Sequence, residues 1–271
     1  MIYLLWSANL ALLVALAIVV QKLDRMYRLY RHRRWLIHPR PRVRQVPLAE
    51  VDPCFAVDQL DAMRATEVPL LGNGAVFSGP SLDEAWVLAK LARLSRAMFE
   101  FGTCTGPTTY LWARNSPPDA RITTLTLPPD GLETYQASLD ACSNDTAIAL
   151  HESRFATFYY SGTDVAYKVR QLFGDSKAFD ETPYVEQFDL IFVDGSHAYS
   201  YVASDTAKAL RMLRPGGLIV WHDYLGSCHA QGVFRFLNEL SGRLPLRWIK
   251  GTSLVYYRKP DAIATERAQA A

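Results

Sequence analysis

Four residues in the second half of the chain have the types and spacing to do acid–base chemistry: Asp194, His197, His222 and Asp223. Asp194-Gly195-Ser196-His197 follows the apolar run 188–193, and His222-Asp223-Tyr224 follows the apolar run 218–221. His197 or Asp194 could take a proton from a hydroxyl, because an imidazole titrates near neutrality and a carboxylate beside it can share the load. An equally ordinary role for His197 is a hydrogen bond to backbone at a helix start. A third polar group lies upstream, in Glu100-Phe101-Gly102-Thr103-Cys104-Thr105-Gly106. Glycines at such a turn let backbone approach a ligand and aim amide N–H groups at it.

These residues need strands beneath them. Both apolar runs suit strands buried on two faces of a parallel sheet. Between them, Val202, Ala203, Ala207, Leu210 and Leu213 recur at helical spacing, with Ser196 as an N-cap and Pro215-Gly216-Gly217 as the stop. Strand, helix, strand in that order makes two parallel neighbours joined by a right-handed crossover. Asp194 and Asp223 then stand roughly 5 Å apart at the carboxyl ends of adjacent strands. That edge is where open α/β sheets bind ligands. The glycine turn has its own strand, 97–101, and a helix from about Pro107 to Arg114.

The remaining elements read in order. A serine-capped helix spans 81–96, strands span 121–127 and 167–173, and a helical pattern covers 131–142. Residues 144–166 read as an irregular lid. A helix over 232–240 precedes a closing hairpin of 246–249 with 253–258, and 260–271 reads as a disordered tail.

With 271 residues and a 49% hydrophobic composition, the chain can bury a large core. Its net charge of +2 hides an asymmetry. Residues 22–44 carry nine cations against Asp24 alone, whereas the remainder carries 20 Lys+Arg and 26 Asp+Glu. An acidic body argues against a nucleic-acid partner. Ile2–Val20 is apolar and uncharged, long enough at about 1.5 Å per residue for a bilayer core. The cations that follow it predict a single-pass anchor with the catalytic domain cytoplasmic, and lipid contacts through residues 2–35. The organisation expected is an anchor over 1–21, a basic and proline-rich linker over 22–53, a catalytic domain over 54–259 and the tail. Four widely spaced cysteines show no zinc spacing.

From about Ala97 to Lys259 the chain resembles the class I S-adenosylmethionine-dependent methyltransferases, and within them the bacterial macrocin- and catechol-type O-methyltransferases. EFGTCTG, LFGDS, FDLIFVDGSHAYSYVASD, LRPGGLIVWHDY and GTSLVYYRK carry the likeness. The resemblance implies a Rossmann-like seven-stranded sheet with helices on both faces, its last strand antiparallel. It implies S-adenosylmethionine as cofactor and a small or amphipathic hydroxylated substrate. Glu100, Gly102, Thr103 and Gly106 would hold the methionine end, Asp175 and Ser176 the adenine, and Asp194 the cofactor near the reacting group.

Two positions depart from the family pattern. An acid that would accept both ribose hydroxyls is replaced by Thr126, which Asp130 or Glu133 could compensate from nearby. The pair of aspartates that binds a divalent ion is replaced by His222-Asp223. Asp194, His222 and Asp223 could still hold a metal, and an imidazole suits Mn, Fe or Zn better than Mg. Strand alternation, however, points His222 away from Asp223. The departures leave a second reading open: a degenerate methyltransferase fold serving as a membrane-tethered binding module.

Overall fold

The computed structural model describes residues 19–23, 40–56, 65–69, 79–134, 143–226 and 230–261. Two compact units divide the chain, Met1–Pro41 and Arg42–Ala271. In the first, residues 19–23 are helical. Among the described residues no helix is long and apolar enough to cross a membrane. The expected anchor is therefore dropped from the fold, and residues 1–18 of it lie outside the described residues.

The second unit is an α/β sheet of eight strands. These are β1 (Arg44–Val46), β2 (Ala97–Phe101), β3 (Arg121–Thr126), β4 (Val169–Phe173), β5 (Phe188–Val193), β6 (Leu213–Trp221), β7 (Arg247–Ile249) and β8 (Val255–Arg258). Their order across the sheet is β1-β7-β8-β6-β5-β2-β3-β4. Among the described residues five helices accompany them: α1 (Leu82–Arg93), α2 (Pro107–Asn115), α3 (Ser143–Glu152), α4 (Tyr199–Met212) and α5 (Gln231–Leu240).

Seven strands were expected, and β1 is the eighth. It comes from the proline-rich stretch that reads as a linker. Val43 and Val46 are buried, and the strand pairs in parallel with β7. Pro47 directly after it suits an edge strand, where a missing donor costs little. The closing hairpin is as expected, with β8 antiparallel to both β6 and β7.

Alternation along the strands divides the core in two. Phe99, Phe101, Ile191, Val193 and Trp221 pack on the face shared with α4 and α5. Met98, Leu190, Phe192 and Val220 pack on the face shared with α1 and α2. Helix α1 starts at a capping box, with Ser81 Oγ accepting from the Glu84 N–H and Glu84 accepting from the Ser81 N–H. Helix α4 is capped by Ala198 rather than Ser196, whose hydroxyl accepts from the Ala198 N–H at 3.3 Å. Pro215-Gly216-Gly217 does not separate helix from strand either: α4 passes at Leu213 into β6, and the register against β5 shifts between Phe188 and Leu190.

Two other readings change. Residues 144–152, expected to be irregular, belong to α3, and the segment after it is pinned to the glycine turn by the Tyr159 N–H donating to the Thr105 carbonyl. The helix expected over 131–142 begins instead as a 3₁₀ segment, Pro129–Thr134, and 135–142 lie outside the described residues, as do 262–271 of the expected tail.

Candidate active site

The strand order reverses between β2 and β5. From β2 the chain moves outward through β3 and β4, then returns to β5 and continues through β6 on the other side. Such a switch point opens a crevice at the carboxyl ends of the strands. Register makes the tips level. Phe101 pairs with Val193, and Val193 with Trp221, so Gly102, Asp194 and His222 are the first residues past three adjacent strands. Thr126 pairs with Phe173, which brings Gly174-Asp175-Ser176 to the same edge.

One cleft occupies this edge, and Gly102, Thr126, Asp175, Ser176, Asp194 and His197 all line it. Gly102 has φ +100°, and a Cβ there would stand 2.1 Å from the Asp194 carbonyl oxygen. Only glycine permits so close an approach of the turn to β5. Asp175 closes its own turn by accepting from the Lys177 N–H at 2.9 Å and also accepts from the Tyr201 hydroxyl at 3.0 Å.

Glu100, Thr103 and Gly106 do not line the cleft. Glu100 is fully buried on the α2 face, and its Oε2 accepts from the hydroxyls of Thr109 and Thr124. Burial pushes its carboxyl up to about 8, against the pull of those two hydroxyls. A neutral acid sealed beneath the turn serves as a hub rather than a counter-charge. Thr103 joins the same network, its Oγ1 lying 2.7 Å from Thr124 Oγ1 and accepting from Gln171 Nε2 at 3.3 Å. Gly106 caps α2 at φ +81°, packed beneath the Tyr160 ring.

Beside the cleft lies a cluster of carboxylates and imidazoles. His197 Nε2 is 2.9 Å from Asp223 Oδ2. His222 Nδ1 is 2.9 Å from Asp194 Oδ1 and 3.4 Å from Asp223 Oδ2. Alternation does not separate His222 from Asp223, because the strand ends at Trp221 and Asp223 adopts φ +61°. That left-handed turn swings the Asp223 carboxylate back toward the imidazole. On its other side, His222 Nε2 is 3.3 Å from Glu84 Oε2.

The charges follow from these contacts. Burial alone would lower both histidines, yet the Asp194, Asp223 and Glu84 carboxylates hold His222 well above the usual imidazole range, and Asp223 raises His197. Burial would raise Asp223 and Glu84, but the imidazoles hold Asp223, and His222 with Ser253 hold Glu84, well below the usual carboxylate range. Asp194 goes the other way, pushed up by burial.

The donor set fits a divalent cation. Asp194, His222 and Asp223 each offer one atom, and all three atoms lie within 4.8 Å of one another. A nitrogen with two carboxylate oxygens suits a first-row transition ion better than Mg.

Three acids near the site escaped the sequence reading. Glu152 lines the cleft from the end of α3, and burial together with Asp194 pushes it up to about 7. Asp205 lines it from α4, and burial pushes it up to about 7 against a hydrogen bond from Ser176. Glu84 stands on α1, where its spacing from Ser81 signals only a helix cap. No sequence pattern ties it to His222, 138 residues away. Of the acids expected to compensate for Thr126, Asp130 is exposed and does not line the cleft, and the Glu133 side chain lies outside the described residues.

Residues 99–224 match the family described as a methyltransferase domain. The chain carries a methyltransferase domain. The matched segment begins in β2 and ends at Tyr224, so it takes in the whole switch point and both histidines. The likeness to S-adenosylmethionine-dependent methyltransferases drawn from the sequence is borne out. No curated protein matches the methyltransferase significantly. Among solved structures, it is similar to the O-methyltransferase TomG from Streptomyces achromogenes, involved in tomaymycin synthesis and solved with SAM. That pair shares 25% identity over 68% of this chain and 82% of TomG, with a TM-score of 0.46. Cofactor-bound Rv0187 from MTB shares 23% identity over 79% of this chain and 93% of its own, with a TM-score of 0.46. A methyltransferase from Geobacter sulfurreducens shares 18% over 80% and 91%, with a TM-score of 0.43. The assignment rests on the family match.

Proposed function

We propose that this methyltransferase moves the methyl group of S-adenosylmethionine to an oxygen of a small hydroxylated molecule. The observation that carries the reading is the meeting of Gly102, Asp175, Asp194 and His197 in one cleft at the switch point. The glycine turn, through Gly102 and Cys104, holds the methionine end of the cofactor. Asp175 and Ser176 face its base, with Asp205 behind Ser176. Asp194 lies between that end and the acceptor.

The protein's main task is to place the acceptor oxygen in line with the methyl–sulfur bond. His197, oriented by Asp223, takes the hydroxyl proton as the oxygen attacks. Asp194, His222 and Asp223 would hold a divalent ion. Such an ion, when bound, polarises the acceptor hydroxyl and lowers its pKa.

Thr126 supports a second reading, a methyltransferase fold retained as a binding module. A hydroxyl cannot accept both ribose hydroxyls, and one lost charge-assisted hydrogen bond costs about 1.5–3 kcal/mol. Calorimetry with S-adenosylmethionine decides between the two. Saturable binding is expected, and no heat at millimolar cofactor would exclude catalysis.

A further inference from the structure

We propose that Glu84 is a positioning residue for the active site, fixing the His222 ring so that Nδ1 faces Asp194 and Asp223. The inference deepens the methyl-transfer reading and rests on it.

Glu84 is buried, lies outside the matched segment, and reaches the site from α1. Its Oε1 accepts from both the N–H and the hydroxyl of Ser253, each at 2.7 Å. Its Oε2 accepts from the Ser81 N–H at 3.0 Å and faces His222 Nε2 at 3.3 Å. Four contacts, from Ser81 at the helix start, Ser253 in the closing hairpin and His222 just past β6, therefore immobilise one carboxylate. The Ser253 hydroxyl also accepts from the Asp223 N–H at 3.3 Å. One clamp thus sets the ring of His222 and the backbone of the residue after it.

A carboxylate on Nε2 keeps the proton there. The lone pair of Nδ1, or a proton in its place, is then presented to the two aspartates. Metal-bound histidines are held in this way, their second nitrogen donating to a buried carboxylate. Helix capping alone needs neither the Ser253 contacts nor the approach to His222.

Zn²⁺ is a suitable probe, because it is diamagnetic and accepts nitrogen with oxygen. Calorimetric titration of the full-length protein should show a site that His222→Ala abolishes. In the Zn²⁺-bound protein, ¹⁵N spectra should show His222 protonated at Nε2 and bound through Nδ1. Glu84→Gln should weaken Zn²⁺ by about 10–100-fold. Ser81→Ala removes the reciprocal cap contact and should leave Zn²⁺ affinity unchanged. Glu84→Asp keeps the charge but withdraws it from the ring, so it should weaken Zn²⁺ and serves if the glutamine variant does not fold. Wild-type protein without a His222-dependent site, Nε2 coordination, or unchanged affinity in the Glu84 variants would overturn the proposal. S-adenosylhomocysteine binding, measured in parallel on the wild type, separates the two failures. Its loss refutes the methyl-transfer reading, and its persistence without the Zn²⁺ effects refutes the role of Glu84 alone.

Discussion

Gly102 and Asp194 approach each other until a single added carbon would collide: a Cβ on the glycine would lie 2.1 Å from the aspartate's carbonyl oxygen. The glycine's φ of +100° compounds the effect. Gly102→Ala must therefore push apart the turn after β2 and the tip of β5. Denaturant unfolding should show a loss of roughly 2–4 kcal/mol, and calorimetry a loss of S-adenosylhomocysteine binding. Wild-type behaviour in both would mean that the two tips do not meet as described.

Glu100 makes stability depend on pH in a known direction. Its folded carboxyl sits at about 8 against an ordinary 4.5. Between those values the folded chain keeps a proton that the unfolded chain has lost. Stability should therefore fall as pH rises from 4.5 to about 8 and level off above. Glu152 and Asp205 add to the same slope. Glu100→Gln should flatten the fall in unfolding free energy by an amount on the order of a few kcal/mol, read by denaturant unfolding across that pH range. An unchanged slope in the variant would place the proton elsewhere.

Thr126 lines the cleft at the tip of β3, where the family pattern has an acid. Thr126→Asp should tighten S-adenosylmethionine by about 10–100-fold if ribose recognition is what the chain lacks. Calorimetry on the two proteins reads this directly. Equal or weaker affinity would mean that another group already serves the ribose.

His197 acts as a base only when neutral, and Asp223 raises it above the ordinary 6.5. The acid limb of the methylation rate should therefore have its midpoint above 6.5. Asp223→Asn should shift that limb to lower pH. His197→Ala should lower kcat by about 10²–10⁴-fold. A rate that ignores both substitutions would assign the proton to Asp194.

Much of this arrangement is legible before any coordinates. Apolar runs capped by polar tips announce β2, β5 and β6, and the glycine turn announces the start of α2. Topology then makes Gly102, Asp194 and His197 neighbours. What the sequence conceals has physical causes. Strand β1 is short and flanked by prolines, so it carries no alternation to read, and only its pairing with β7 makes it a strand. His222 breaks alternation because Asp223 takes a left-handed backbone, which an aspartate tolerates but does not announce. Glu84 meets His222 across 138 residues, a contact made by packing α1 on the sheet and not by any local pattern. Glu100 reads as a ligand group from its place before the glycine turn, but strand parity sends it to the α2 face, among threonines.

The most direct measurement is a crystal structure with S-adenosylhomocysteine. The account predicts the homocysteine moiety against the Gly102 turn, the base beside Asp175 and Ser176, and the sulfur open toward Asp194 and His197. A nucleoside bound away from the β2–β5 switch point, or turned so that its sulfur faces away from His197, would contradict it.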